Sequence, residues 1–491
     1  MKAKYILTLA LTGALTFTSC DDFLDMQPTN SANSEGAVGT VADAEVAMNG
    51  VMSAMTSSLY YGRNLFMYGD AKGGDLTIYS AGRGLDALYS FNHTATSGSY
   101  SGFWSRGYYC ILQVNSLLSN IDKLEKAGVQ ENFSYIKGQA LTLRALFYFD
   151  LVRLYGLPYN YKNNSYGVPN ITEPISAMAQ PTRATVAENY AQIVSDLTEG
   201  AKLMSGNKSR QNGYVGYYAN IALQARVKLY MEDYAGSLAA AREVIGSGEY
   251  SLYKNSNWVE SWSRQFGSES IFELGITTEE SDLGTGSLGF YLMRYGRVKN
   301  AQGWFLASDY FLNRLGEDPT DVRWGVMDND EYWYDTDEER HGACYKYMGG
   351  TDLPGDGKAT NTAVNIKIIR LSEVYLIAAE AALHTGDKQA AADYLNAIRS
   401  RAPQLAPATA ETVSDDLILN ERSKELFGEG HRFFDLLRMN RTIEYNDDFQ
   451  NVPISQREKV IDRTFYKVVL PIDMDEINAN PALANQQNPG Y

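Results

Sequence analysis

The chain has 491 residues, 59 Asp plus Glu against 43 Lys plus Arg, and a formal net charge of −16 at pH 7. That balance argues against nucleic acid or a polyanionic glycan as the general partner. Three cysteines are too few for a disulfide scaffold, and length alone sets a soft prior of about three domains.

Residues 1–19, MKAKYILTLALTGALTFTS, have the plan of a secretory signal. Lys2 and Lys4 form a positive start, residues 5–17 are apolar and uncharged, and Thr18 and Ser19 are small. The apolar run is shorter than the ~20 residues needed to cross a bilayer. Cys20 follows directly and reads as an acylated residue at the cleavage point, with each buried CH₂ contributing about 0.8 kcal/mol to anchoring. The other reading is ordinary cleavage near Ser19 with an incidental cysteine. Cleavage before Cys20 leaves 472 residues and, with Lys2 and Lys4 lost, a formal charge of −18. Cys110, in YYCIL, reads as a buried free thiol.

The predicted fold class is mostly α. Residues 20–491 form one domain: an irregular four-hairpin, tetratricopeptide-like helical scaffold at about 36–275 and 365–445. Helical pairs are expected at about 40–57 with 103–123, 133–155 with 185–203, 214–247, and 369–401. Each compact unit approaches the ~34 residues of a tetratricopeptide repeat. In TVAENYAQIVSDLTEG, Thr185 and Glu188 form a capping box, and Val186, Tyr190, Ile193 and Leu197 share one helical face. The helix in GQALTLRALFYFDLVRLYG is apolar nearly all round and belongs in the interior. Trp104, at a helix start, reads as core. Short strands are expected at 270–274 and 465–472, the second within an extended C-terminal segment, 446–491.

Residues 64–102 and 276–366 lack helical periodicity and form the loop-rich, ligand-binding part. Their aromatic content argues against disorder. A flat aromatic ring covers the C–H face of a sugar, while polar groups bond its hydroxyl rim. Candidate ligand contacts are Asp75, Arg83, Tyr89, Phe91 and Asn92 in the first stretch, and Tyr291, Tyr295 and Trp304 in the second. Tyr332, Trp333 and Tyr334 form a further cluster, with satellite-core packing the competing reading for Trp304 and Trp333.

Catalytic signals are weak. GTGSLG, 284–289, matches a dinucleotide fingerprint but follows the acidic stretch TTEESD rather than a strand, so it reads as a flexible loop. The chain has only four histidines, His93, His341, His384 and His431, with no metal-protease or serine-hydrolase motif. DTDEE, 335–339, has Arg340 where a calcium loop needs glycine and reads as a solvated acidic loop. No catalytic residue, metal or cofactor is expected.

Several segments together resemble the SusD/RagB family of outer-membrane nutrient-binding lipoproteins. They are SCDDFLDMQP, LRALFYFDLVRLYGLP, ESIFEL, IIRLSEVYLIAAEA, LNAIRSRAP, LNERSKELFGEGHRFFDLLR and the terminal LPIDMDEINANPALANQQNPGY. The resemblance implies a surface lipoprotein that binds oligosaccharides and serves as lid to a SusC-type TonB-dependent transporter in the bacterial outer membrane, facing outward. It implies that Asp21 and Asp22, after the lipidated Cys20, act as a surface-export signal. It also implies that Glu421, Arg422, Glu425, Arg432 and Asp435 are paired buried charges. Peptide capture is the alternative within the family, and a surface glycoside hydrolase the alternative outside it.

Overall fold

A computed structural model describes residues 38–79, 86–96, 101–276, 286–295, 298, 301–331, 339–349, 363–447 and 454–491. Its frame is four antiparallel helical hairpins, each leaning on the next. They are Val41–Met55 with Ser101–Lys126, Ser134–Tyr155 with Val186–Met204, Tyr217–Tyr230 with Tyr234–Gly246, and Leu371–His384 with Lys388–Arg399. The first two hairpins carry long insertions between their helices, as expected from the sequence.

Local chemistry sets the ends of these helices. Thr40 with Asp43, and Thr185 with Glu188, make reciprocal capping boxes. The two compact hairpins turn by one device. A residue in the left-handed region, Glu232 (φ 60°) or Gly386 (φ 87°), ends the first helix. The next residue, Asp233 or Asp387, then caps the second helix by accepting from Gly236 N at 3.0 Å or Ala390 N at 3.2 Å.

Helix Ser134–Tyr155 is buried on nearly every face. It meets Val186–Met204 closely because Gly138 and Gly200 oppose each other, so that a Cβ on Gly138 would lie 2.7 Å from the Gly200 carbonyl oxygen. Trp104 is core, edge-on to Tyr155 at 5.0 Å. The Cys110 thiol is buried, which pushes it up to about 12.

Ser270–Leu274 pairs antiparallel with Ile366–Arg370, which runs straight into the last hairpin. The second expected strand is not formed. Residues 466–468 make a 3₁₀ turn, and Leu470 N instead donates to Leu154 O at 2.8 Å, the end of a helix. The apolar run there reports burial against the second hairpin, not pairing in a sheet.

The loop-rich stretches hold more structure than their sequence suggests. Helix Asn64–Lys72 is buried at every position, so it shows no amphipathic period. It packs on Arg432–Arg438, where a Cβ on Gly69 would strike Gly430 O at 2.0 Å. Under this region the charges of ERSKELFGEGHRFFDLLR are buried and paired. Arg422 meets Asp435 at 2.8 Å, Arg323 meets Glu421 at 2.6 Å, and Arg370 bonds Glu269, Glu425 and Glu429 at 2.8–3.1 Å. Burial alone would raise the Glu425 carboxyl, but Arg401, Arg370 and Arg323 hold it down at about 2. Such groups are tolerated only because each has partners; removing one strands its mate. Among the described residues, no helix is long and apolar enough to cross a membrane.

Candidate functional site: an aromatic platform where two insertions meet

The insertion of the first hairpin and the 276–366 insertion are joined by backbone pairing. Leu76–Ile78 lies antiparallel to Phe305–Ala307, in register Leu76 with Ala307 and Ile78 with Phe305. The ladder continues one step, with Tyr79 N donating to Trp304 O at 2.8 Å. This places Tyr79 and Trp304 side by side at the strand ends.

Around them stands a cluster of rings and guanidinium groups. Trp304 is half-buried and meets Tyr291 edge-on, centroids 4.7 Å apart at 89°. Tyr291 is mostly buried, lies under the Arg63 guanidinium at 4.7 Å, and accepts from Arg63 Nη1 at 3.1 Å. Arg63 also donates to Asn64 Oδ1 and Gly286 O, and its burial lowers its pKa. Across the strand junction, Arg294 lies over the Tyr79 ring at 4.0 Å and donates to Gln302 O (2.7 Å) and Glu331 (3.0 Å). Gly303 makes room for it: φ is +52°, and a Cβ would come within 2.3 Å of Arg294 Cδ. Tyr295, next along, is 60% exposed. Tyr295 is exposed and Tyr79 and Trp304 are half-buried, with Tyr291 and the guanidinium groups packed behind them, an edge that suits a ligand having an apolar face and a polar rim.

Of the residues singled out from sequence, Tyr291, Tyr295 and Trp304 share this site. Three others are interior. Tyr89 is 1% exposed and donates its hydroxyl to Asp447 at 2.9 Å. Phe91 is fully buried, with Lys72 Nζ on its face at 3.4 Å and Tyr445, Phe433 and Phe465 around it. Asp75 pairs with Arg314 and accepts from Ser423 Oγ at 2.6 Å. These three are corrected from ligand contacts to packing residues, because segments some 350 residues further along the chain cover them. Asn92 is exposed, but its neighbours Phe91 and His93 face Phe465 and Tyr491. Arg83, Tyr332, Trp333 and Tyr334 lie outside the described residues, as do Cys20, Asp21 and Asp22.

Sequence reasoning missed Tyr79, Arg63 and Arg294. Arg294 sits one residue before Tyr295, and Tyr79 ends the LTIY run, so alternation from a correctly placed strand would have found Tyr79. No comparable signal marks Arg63. Among the described residues, no cluster of three or more His, Cys, Asp or Glu is placed to hold a metal ion.

Comparison with known proteins agrees with this architecture. The SusD family model matches residues 242–491, and a model described as starch-binding, associating with outer membrane matches residues 22–229. The structure of a SusD superfamily protein from Bacteroides thetaiotaomicron is 34% identical, with 92% of this chain and 100% of that one covered and a TM-score of 0.80. One from Bacteroides vulgatus is also 34% identical, with 92% and 100% covered and a TM-score of 0.81. A SusD-like protein of Formosa agariphila is 25% identical over 87% of this chain and 89% of its own. With the family model spanning half the chain, and relatives of this identity aligned along nearly all of it, the chain belongs to the SusD family.

Proposed function

We propose that the protein is a non-enzymatic, surface-exposed lipoprotein that captures oligosaccharides and passes them to a SusC-type TonB-dependent transporter, over which it acts as a lid. The observation that carries the binding reading is the Tyr79–Tyr291–Tyr295–Trp304 platform, with Arg63 and Arg294 at its sides. The starch-binding description of the model matching residues 22–229 supports a carbohydrate as the ligand class. Among the described acids of the same insertion, Glu331 pairs with Arg294 and Asp330 with Arg340. A glycoside hydrolase needs two carboxylates placed across a bond instead. Lipidation at Cys20, with Asp21 and Asp22 as export signal, places this platform on the outer surface.

An open platform leaves one ligand face wet, so affinity should fall between about micromolar and millimolar. Calorimetry of the mature protein against neutral glucan oligosaccharides tests the reading. Trp304→Ala is expected to cost about 1–3 kcal/mol of binding, and Tyr295→Ala a similar amount where it stacks. The melting temperature of Tyr295→Ala should stay near wild type, because that ring is exposed. Tyr291→Ala should lower the melting temperature as well, since Tyr291 is packed under Arg63. Binding of peptides alone would replace the saccharide by a peptide ligand, and turnover of any glycan would end the non-enzymatic reading.

A further inference from the structure

A groove apart from the platform shares no residue with it. It spans about 510 Å³ between residues 157–166, in the insertion of the second hairpin, and residues 463–469 of the C-terminal segment. This volume falls within the roughly 300–1,000 Å³ of small-molecule sites. Tyr161 and Tyr166 form one wall, Phe465 and Tyr466 the other. Tyr166 and Tyr466 are each 42% exposed, so their rings line the opening.

The walls are fixed from behind. Tyr166 bridges to Thr185 in the backbone, and the buried Arg183 lies 5.4 Å from its ring. Tyr466 packs on Phe465 and on the terminal Tyr491, and passes so close to Gly490 that a Cβ there would be 2.4 Å from its ring. A rigid aromatic cleft loses little entropy on taking a ring-shaped ligand.

Its charge points to the ligand class. The protein is strongly acidic, yet none of the residues lining the groove is Asp or Glu, and its two charged members are Lys162 and Arg463. Arg463 lies over Tyr161 at 4.6 Å and Lys162 is 5.1 Å from the same ring. Among the described residues, neither forms an ion pair. Asp462, the adjoining acid, is turned into its own loop, accepting from Thr464 N and Oγ1 at 2.7 and 2.6 Å. The net charge of −16 opposes a polyanion at long range, but that field is screened beyond about 8 Å at physiological salt, so the groups at contact decide.

We propose that this groove is a second saccharide site, selective for sugars bearing carboxylate or sulfate groups, with Tyr166 and Tyr466 stacking on the rings and Lys162 and Arg463 pairing with the anion. Guanidinium groups pair with both oxyanions through parallel hydrogen bonds.

The test is calorimetry of the full mature chain with three probes: tetragalacturonate, a sulfated galactan tetrasaccharide, and neutral laminaritetraose. Tetragalacturonate binding with sulfated-probe silence assigns a uronate site, and the reverse assigns a sulfate site. Arg463→Gln and Tyr166→Ala should each weaken the bound anionic probe about tenfold, while Trp304→Ala leaves it unchanged. Lys162→Gln, at an exposed position, gives the same readout if Arg463→Gln lowers the melting temperature. The proposal is overturned if no anionic probe binds, if binding is lost in Trp304→Ala and kept in Lys162→Gln and Arg463→Gln, or if laminaritetraose occupies the groove equally well. Displacement of the bound sugar by an acidic peptide of higher affinity would also overturn the saccharide assignment.

Discussion

Asp70 lies within helix Asn64–Lys72, 1% exposed, where Gly430 N donates to it at 3.2 Å. Burial raises its carboxyl, nearby Asp75 adds to this, and backbone N–H groups from Gly430, Gly428 and Arg432 oppose it, leaving a pKa of about 8. At pH 7 the folded protein therefore holds a proton that the unfolded chain releases near the ordinary value of 3.8. A raised pKa contributes stability that is full below the unfolded value and is lost as pH rises through the folded one. Asp70→Asn keeps an oxygen for Gly430 N–H and removes the titration. Its stability relative to wild type should thus climb between about pH 4 and pH 8, then level off. Melting temperatures of both proteins across that range check this, and a constant gap would refute it. At the same scale, the sequence marked Trp304 as a large ring in an insertion but left ligand contact and satellite-core packing both open, and the structure places it half-buried at the strand junction. Tyr89 and Phe91 misled because Tyr445, Arg457 and Phe465, which enclose them, lie hundreds of residues away. The family resemblance implied that the charges of residues 421–435 are a buried set, but their partners Arg323 and Arg370 carry no local mark.

Among elements, the two compact hairpins were readable because each repeats period, turn and cap within about 34 residues. Helix Asn64–Lys72 was not, since burial on all sides erases the period that reveals a helix. Contact between paired helices then depends on individual small residues. A methyl group at Gly138 would lie 2.6 Å from Met204 Cγ and 2.7 Å from Gly200 O. The side chain could rotate, but the carbonyl moves only with its helix. Gly138→Ala should therefore destabilise by about 1–3 kcal/mol through overpacking, despite the better helix propensity of alanine. Gly246→Ala is the control: nothing lies within 4 Å of a Cβ there, at the end of helix Tyr234–Gly246. It should be neutral or stabilising by up to about 1 kcal/mol. Denaturant unfolding of both variants separates propensity from packing.

Across the whole molecule, the C-terminal segment returns to tie the first two hairpins together. Asn488 Nδ2 donates to Tyr155 O and Leu470 O, while the Tyr491 hydroxyl donates to Val469 O and meets His93 Nε2 at 2.7 Å. NPGY at the end of the sequence is thus a structural clasp, and it positions Tyr466 in the anionic-sugar groove. Under the proposed lipidation, the opposite end of the chain sets where the body works. Seventeen residues lie between Cys20 and Val38, a reach of at most about 65 Å. With acyl chains on Cys20, the body would remain within that distance of the membrane, which raises its effective concentration at a transporter without adding any contact. Cys20→Ala should consequently leave the melting temperature and glycan affinity unchanged, because the described core and the platform are built from residues after 37. It should release the protein from membranes in cells that lack the transporter, read by detergent partitioning. In cells that express the transporter, recovery of the complex in mild detergent should fall but persist under crosslinking, since the docking surfaces are intact. Retention on membranes without the transporter would mean that something other than the lipid holds the protein. Loss of all crosslinking would mean that the lid contact itself runs through the N-terminal segment.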